Sequence, residues 1–262
     1  MEVVPLDTGE DVARLAADIV ESLVRRTPAA VLGLATGSSP VPAYRELARR
    51  HSAGAAPSYD AVRCFTLDEY IGLPVGHPQT YRETIFCELT DALGIAREQV
   101  ASPDPEPAGL PQAGERYEAA IRSAGGIDLQ VVGIGTDGHL AFNEPGSSLS
   151  SSTRLKTLTE QTRRDNTRFF DKLDDVPRHV LTQGLGTILQ ARHVLLVATG
   201  QTKASAVASA VEGALSASCP ASVLQLHPRC TVLLDTGAAA GLARADHYRE
   251  VHAAKPSWQA YG

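Results

Sequence analysis

The chain of 262 residues contains no apolar run near the ~18 residues that a membrane-spanning helix needs. Its first residues, MEVVPLDTGEDVARL, have no basic stretch leading into an apolar core, so no secretory signal is expected and the cytoplasm is the expected compartment. Cysteine is scarce, and Cys64, Cys87, Cys219 and Cys230 form no C-x-x-C pair. Two disulfides are open to them by count, but without an export signal reduced, buried thiols are expected. A positive excess is lacking too. With 24 Lys and Arg against 30 Asp and Glu the net charge is −6, which argues against broad binding to nucleic acid or anionic membrane. An anionic substrate would have to be caught by a local basic site. Aromatic residues are only 5% of the chain, but 43% hydrophobic residues suffice for one large globular domain or two small ones.

What is present is an alternation of short apolar runs with helical patterns. Val31–Leu34 reads as a strand, followed by ATGSSP and an amphipathic helix to about Ala48, with Ser39 as its cap and Pro40 at its first position. Strands are expected at 62–67, 127–134, 193–199 and 230–235, and helices at 80–93, 112–123 and 201–215. Strands apolar throughout and separated by helices indicate a parallel sheet covered on both faces. The expected fold is α/β, a single doubly wound, mostly parallel sheet of Rossmann-like type, in one domain spanning residues 1–262. The polar stretch 147–175 is either a solvated loop or helix, or a mobile lid near a site.

In such a sheet, ligands bind beyond the carboxyl ends of the strands. Four ends carry polar residues. LATGSSP (34–40) offers Thr36, Gly37, Ser38 and Ser39 at a helix N-terminus, which suits a monophosphate or is an ordinary turn. FTLDEYIGL (65–73) places Asp68 and Glu69 just after a strand, where a carboxylate is either a general base or a turn cap. GIGTDGHLAFNEP (133–145) has the G-x-G-x-x-G spacing of a dinucleotide turn. Pro145-Gly146-Ser147-Ser148 stops the helix that such a turn must open, so that reading fails on context. What remains is a glycine-loosened loop in which Asp137, His139 and Glu144 converge as a proton relay. No second histidine lies at ligand spacing, so no metal is expected. VATGQTKA (197–204) aims Lys203 at the same crevice, and Arg168 of NTRFF is a second cation for a phosphate.

Together LGLATGSSPVPAYREL, FTLDEYIGLP, HPQTYRETIF, GIGTDGHLAFNEPGSSLSSSTRLKTLT, NTRFF, VPRHVLTQGLGTIL, ATGQTKASAVASAVEG and LQLHP resemble, in order, the glucosamine-6-phosphate deaminase family. The likeness runs from about Val3 to Tyr248. The resemblance implies a cofactor-free conversion of glucosamine 6-phosphate and water to fructose 6-phosphate and ammonia. It implies Asp68 as the enolisation base and His139 as the ring-opening group, oriented by Asp137 and Glu144. The phosphate would sit on Thr36, Gly37, Ser38 and Ser39, held by Arg168 and Lys203. It also implies a homo-oligomer, with a hexamer known in the family, and N-acetylglucosamine 6-phosphate as an effector bound between subunits. Ser147, Ser148, Arg154, Lys156, Thr157 and Tyr248 match the positions used for that.

Two departures from the family pattern stand out: Ser38-Ser39 replaces a Gly-Thr in the loop, and Thr66-Leu67 replaces Asn-Met before Asp68. The rival functions are a 6-phosphogluconolactonase-type hydrolysis, which needs no enolisation base, and a non-enzymatic sugar-phosphate sensor. The sensor would need a DNA-binding module, for which the thirty or so residues before the Val31 strand leave no helix-turn-helix or basic patch.

Overall fold

The structure is a computed structural model, and it describes residues 1–256, 258, 259 and 261. The first strand comes earlier than expected. Strand β1 (Glu2–Pro5) pairs with the last one, because three of its four residues are buried and apolar. Helix α1 (Gly9–Arg26) begins on a capping box between Thr8 and Asp11, and its stripe Val12, Ala16, Ile19, Val20 and Val24 faces the core. Then follow β2 (Val31–Leu34), α2 (Val41–Ser52), β3 (Arg63–Thr66) and a short strand β4 (Asp68–Tyr70).

The expected helix at 80–93 is α3 (Tyr81–Ile85), a π turn (Phe86–Thr90) and α4 (Asp91–Leu93), stopped by Gly94 in the left-handed region. Strand β5 (Val100–Ala101) leads to α5 (Leu110–Ser123) and β6 (Leu129–Val132). The polar stretch holds a strand and a helix: β7 (Arg154–Thr157) and α6 (Glu160–Asn166). Strand β8 (His179–Thr182), α7 (Leu185–Leu189), β9 (His193–Ala198), α8 (Ala204–Val211), β10 (Cys230–Leu234), α9 (Thr236–Ala239) and α10 (Ala245–Ala253) complete the described order.

Seven strands form a parallel sheet in the order β1-β10-β9-β6-β2-β3-β5. Alternate residues of each strand enter different cores. Val194, Leu196 and Ala198 of β9 pack with α7 and α8 residues such as Ile188 and Val207, whereas Leu195 and Val197 pack with Ile19, Val20 and Tyr44 of α1 and α2. Helices therefore cover both faces, as the largely apolar strands require. From β2 the chain passes to β3 on one side and later returns to β6 on the other, so the topological switch lies at β2.

A second sheet, antiparallel and three-stranded, has the order β4-β8-β7. It sets Asp68 opposite Thr182 and joins the Asp68 segment to the 154–157 segment by way of β8. Of the four cysteines, Cys64 and Cys230 are buried as expected, Cys219 is half-buried and Cys87 is exposed. No helix among the described residues is long and apolar enough to cross a membrane.

Candidate active site

The carboxyl ends of β2, β3, β6 and β9 are neighbours across the switch point. The loop after β2 shows how the sequence departs from a simple capped turn. Ser39 does not cap α2: the residue at that position is Pro40, with no side-chain cap bond. The Ser39 hydroxyl instead lies 3.4 Å from the N–H and the hydroxyl of Thr199, beyond β9, and so ties two strand ends together. None of the N–H groups of Thr36, Gly37, Ser38 and Ser39 donates a hydrogen bond to another described residue. Four unpaired donors at a helix N-terminus, with Gly37 and Ser38 exposed, form an anion cradle.

Asp68 and Glu69 are adjacent and buried, yet their environments are opposite. Glu69 accepts from the N–H groups of Tyr70, Tyr81 and Arg82 at 2.9–3.0 Å and from the Ser102 hydroxyl at 3.2 Å. Its carboxylate pins the start of α3 to β4. Asp68 has an oxygen, Oδ1, that is buried without a partner. Burial pushes the Asp68 carboxyl up to about 7, against the Thr182 hydroxyl, the Phe142 N–H and His139, which favour its charged form. A carboxylate of near-neutral pKa with an open lone pair suits proton abstraction.

Beyond β6 the chain makes a tight turn. The Gly135 N–H donates to the His139 carbonyl at 2.9 Å, and Gly138, at φ +86°, donates to the Gly135 carbonyl at 3.1 Å. The His139 ring lies over Gly135, where a Cβ would stand 2.2 Å from Nδ1. A Cβ on Gly138 would stand 2.6 Å from the Cys219 sulfur. Asp137 Oδ1 lies 2.7 Å from His139 Nδ1 and accepts the His139 N–H at 3.1 Å. His139 accordingly holds the Asp137 carboxyl down to about 2. Glu144 has partners of its own: its Oε1 accepts from the hydroxyls of Thr159, at 3.0 Å, and Thr162, at the start of α6. Asp137 and His139 are thus brought together, while Glu144 fastens the 159–166 segment to the loop.

Lys203 follows β9 in a 3₁₀ turn (Gln201–Lys203) and forms no ion pair among the described residues. Burial lowers its ammonium pKa. Arg168 adds to that, while Asp137 and Asp165 oppose it, so these four charges share one neighbourhood. Arg168 itself is exposed, with its guanidinium 4.7 Å from the Phe169 ring centre. Its segment is docked by Asn166, which donates to the Tyr70 hydroxyl at 3.1 Å, and by Phe170 against Tyr70.

The six residues matched to an effector site fall in three places: the 147–148 loop, β7 and α10. Ser147 is buried with its hydroxyl unpartnered, and the Ser148 hydroxyl lies 3.2 Å from that of Ser150. Arg154, Lys156 and Thr157 lie on β7, against α5, whereas Tyr248 lies on α10, which packs against β1. Sequence reasoning passed over Thr182 and Thr199, each of which reaches the site from a distant strand; the only sequence signal was their position at the end of a strand. Among the described residues no group of three His, Cys, Asp or Glu side chains is arranged to hold a metal ion.

Residues 7–233 match the family model described as glucosamine-6-phosphate isomerases/6-phosphogluconolactonase. The chain is 59% identical over 259 residues to a glucosamine-6-phosphate deaminase of Arthrobacter sp. (strain FB24), with 99% of each chain covered. It is 52% identical over 260 residues to the enzyme of that name from Streptomyces coelicolor, again with 99% of each covered. A solved structure described as a monomeric glucosamine-6-phosphate deaminase superposes with a TM-score of 0.88 at 38% identity, covering 92% of this chain and 100% of its own. The 6-phosphogluconolactonase of Trypanosoma cruzi shares the fold, with a TM-score of 0.73 at 19% identity over 92% of this chain and 97% of its own. The chain belongs to the glucosamine-6-phosphate isomerase/6-phosphogluconolactonase family.

Proposed function

We propose that the protein is a glucosamine-6-phosphate deaminase, converting glucosamine 6-phosphate and water to fructose 6-phosphate and ammonia. The observation that carries this reading is Asp68: a buried carboxyl near neutrality with a free oxygen, beside the His139–Asp137 pair and across the switch point from an anion cradle. A lactonase has no use for an enolisation base, and the full-length relatives above 50% identity bear the deaminase name.

The phosphate binds the free N–H groups and hydroxyls of Thr36, Gly37, Ser38 and Ser39, with Lys203 and Arg168 as countercharges. His139, held by Asp137, moves the proton from the anomeric hydroxyl to the ring oxygen and opens the ring. Asp68 then takes the C2 proton and returns it to C1, which turns the aldose amine into a ketose imine. Addition of water to C2 expels ammonia and leaves the ketone. No electrons leave the sugar, so positioned acid–base groups suffice. Each supplies about 10²–10⁴-fold, and anchoring by the remote phosphate supplies orientation. Glu144 acts through Thr159 and Thr162, as the tether of a lid within 147–175 that brings Arg168 to the phosphate. The whole chain works as one domain, and its expected compartment is the cytoplasm.

The effector set is carried by separate elements, the 147–148 loop, β7 and α10, and we further propose that it is completed between two copies of the chain, in a homo-oligomer activated by N-acetylglucosamine 6-phosphate. If that compound leaves the rate curve and the mass in solution unchanged, this second reading falls. The central test is direct: the protein is mixed with glucosamine 6-phosphate, and ammonia and fructose 6-phosphate are measured. Equal amounts of both are expected, and the absence of both overturns the assignment.

A further inference from the structure

The antiparallel register places Thr182 of β8 directly opposite Asp68 of β4, and both side chains are buried. The Thr182 hydroxyl accepts the Phe142 N–H at 3.1 Å. Phe142 follows Ala141, which the turn after His139 holds at φ +53°, a conformation uncommon for a residue other than glycine. A hydroxyl that accepts one hydrogen bond still has its own proton to donate. Two acceptors stand within reach: the Gln183 carbonyl, at a long 3.4 Å, and the Asp68 carboxyl across the strand pair. An ionised carboxylate is the stronger acceptor.

We propose that Thr182 is a positioning residue for the enolisation step: its hydroxyl donates to the ionised Asp68 carboxyl, aims it, and links it to the turn that carries His139. This rests on Asp68 as the base, as argued above. Several other groups face that carboxyl. Glu69, from β4 itself, disfavours its charged form, and His139, from the turn after β6, favours it. Tyr70 of β4, Tyr81 of α3 and Tyr117 of α5 are buried phenols pushed above their ordinary range, so they stay neutral while Asp68 titrates. The Thr182 hydroxyl, itself fixed by the Phe142 N–H, is therefore the uncharged donor placed to hold the base in its working form.

The test is the pH dependence of kcat for wild type, Thr182→Val and Thr182→Ser, with ammonia release as the assay. The acid limb of Thr182→Val is expected to move up by about one pH unit, the worth of a hydrogen bond to a charged group. KM is expected to stay within about twofold, and Thr182→Ser to restore the limb. A residue that only received the Phe142 N–H would lower the melting temperature without moving the limb. An unmoved limb in Thr182→Val overturns the proposal. Should that variant not fold, Thr182→Cys, a weaker donor of similar size, is expected to shift the limb partway, and an unmoved limb there overturns it equally. Inactive wild type, or a fully active Asp68→Asn, overturns the underlying assignment of the base. Active wild type with inactive Asp68→Asn and an unmoved Thr182→Val limb overturns only the role of Thr182.

Discussion

The Asp68 niche and the Thr36–Ser39 loop follow the neighbouring strands β3 and β2 and are built in opposite ways. Around Asp68 the protein has removed water: the residue is 7% exposed, and one carboxyl oxygen is buried with no partner. Around Gly37 and Ser38 it has left backbone donors to water, free to be exchanged for a ligand. A desolvated group is unstable at rest and reactive, whereas a hydrated cradle costs little at rest and recognises charge. Interactions of the first kind act on the transition state, and those of the second on substrate and transition state alike. The two regions should therefore separate cleanly in kcat and KM.

The largest effect is expected from Asp68→Asn, which removes the base. A loss in kcat of about 10²–10⁴-fold with little change in KM, read from initial rates of ammonia release, would support the division. Undiminished ammonia release would overturn Asp68 as the base. Next, Gly135→Ala places a methyl group where the His139 ring lies, and is expected to lower kcat by about 10²-fold while the protein still binds inorganic phosphate. On the other side, Lys203→Ala is expected to raise KM about 10-fold or more with a smaller change in kcat, and to weaken inhibition by phosphate in parallel. Equal losses in both parameters would merge the two regions into one.

Stability gives a further contrast. The folded pKa of Asp68, near 7, lies above its ordinary value of 3.8, so protonation favours the fold. That contribution is complete below about pH 4 and is lost as the pH rises through 7. Asp68→Asn should melt several degrees above wild type at pH 8, at about 2–4 °C per kcal/mol, with the gap closing by pH 4. The smallest effect expected is that of Thr162→Val, which leaves Glu144 with the Thr159 hydroxyl and should change kcat/KM by less than about 10-fold.

The main sheet was legible because strands buried on both faces must be largely apolar, and 31–34, 194–198 and 232–234 are. The small sheet was not. Strand β4 has three residues and β7 alternates half-buried with exposed positions in a polar run, so neither carries a signal apart from its partner β8. In the site, the Asp137–His139 pair was legible because two residues of one turn must meet. Glu69 was not separable from Asp68, since its partners Tyr81 and Arg82 come from a helix that only the fold brings to it. Glu144 reads as a relay member by proximity in sequence, yet its hydroxyl partners lie 15 and 18 residues on. The expected cap at Ser39 failed for the same reason, because Thr199, just beyond the distant strand β9, is its neighbour.

The small sheet also bears on how the protein comes to exist. The Gln183 side chain donates to the Thr66 carbonyl across 117 positions of sequence, and β8 closes the same span onto β4. During synthesis Asp68 emerges long before Thr182, as an ordinary wet carboxylate with ordinary acidity. Its niche is a product of late loop closure, and such long-range pairings are slow to form. Recovery of kcat on refolding would therefore lag behind recovery of helical signal, and ammonia release would serve as a clock for the last step of assembly.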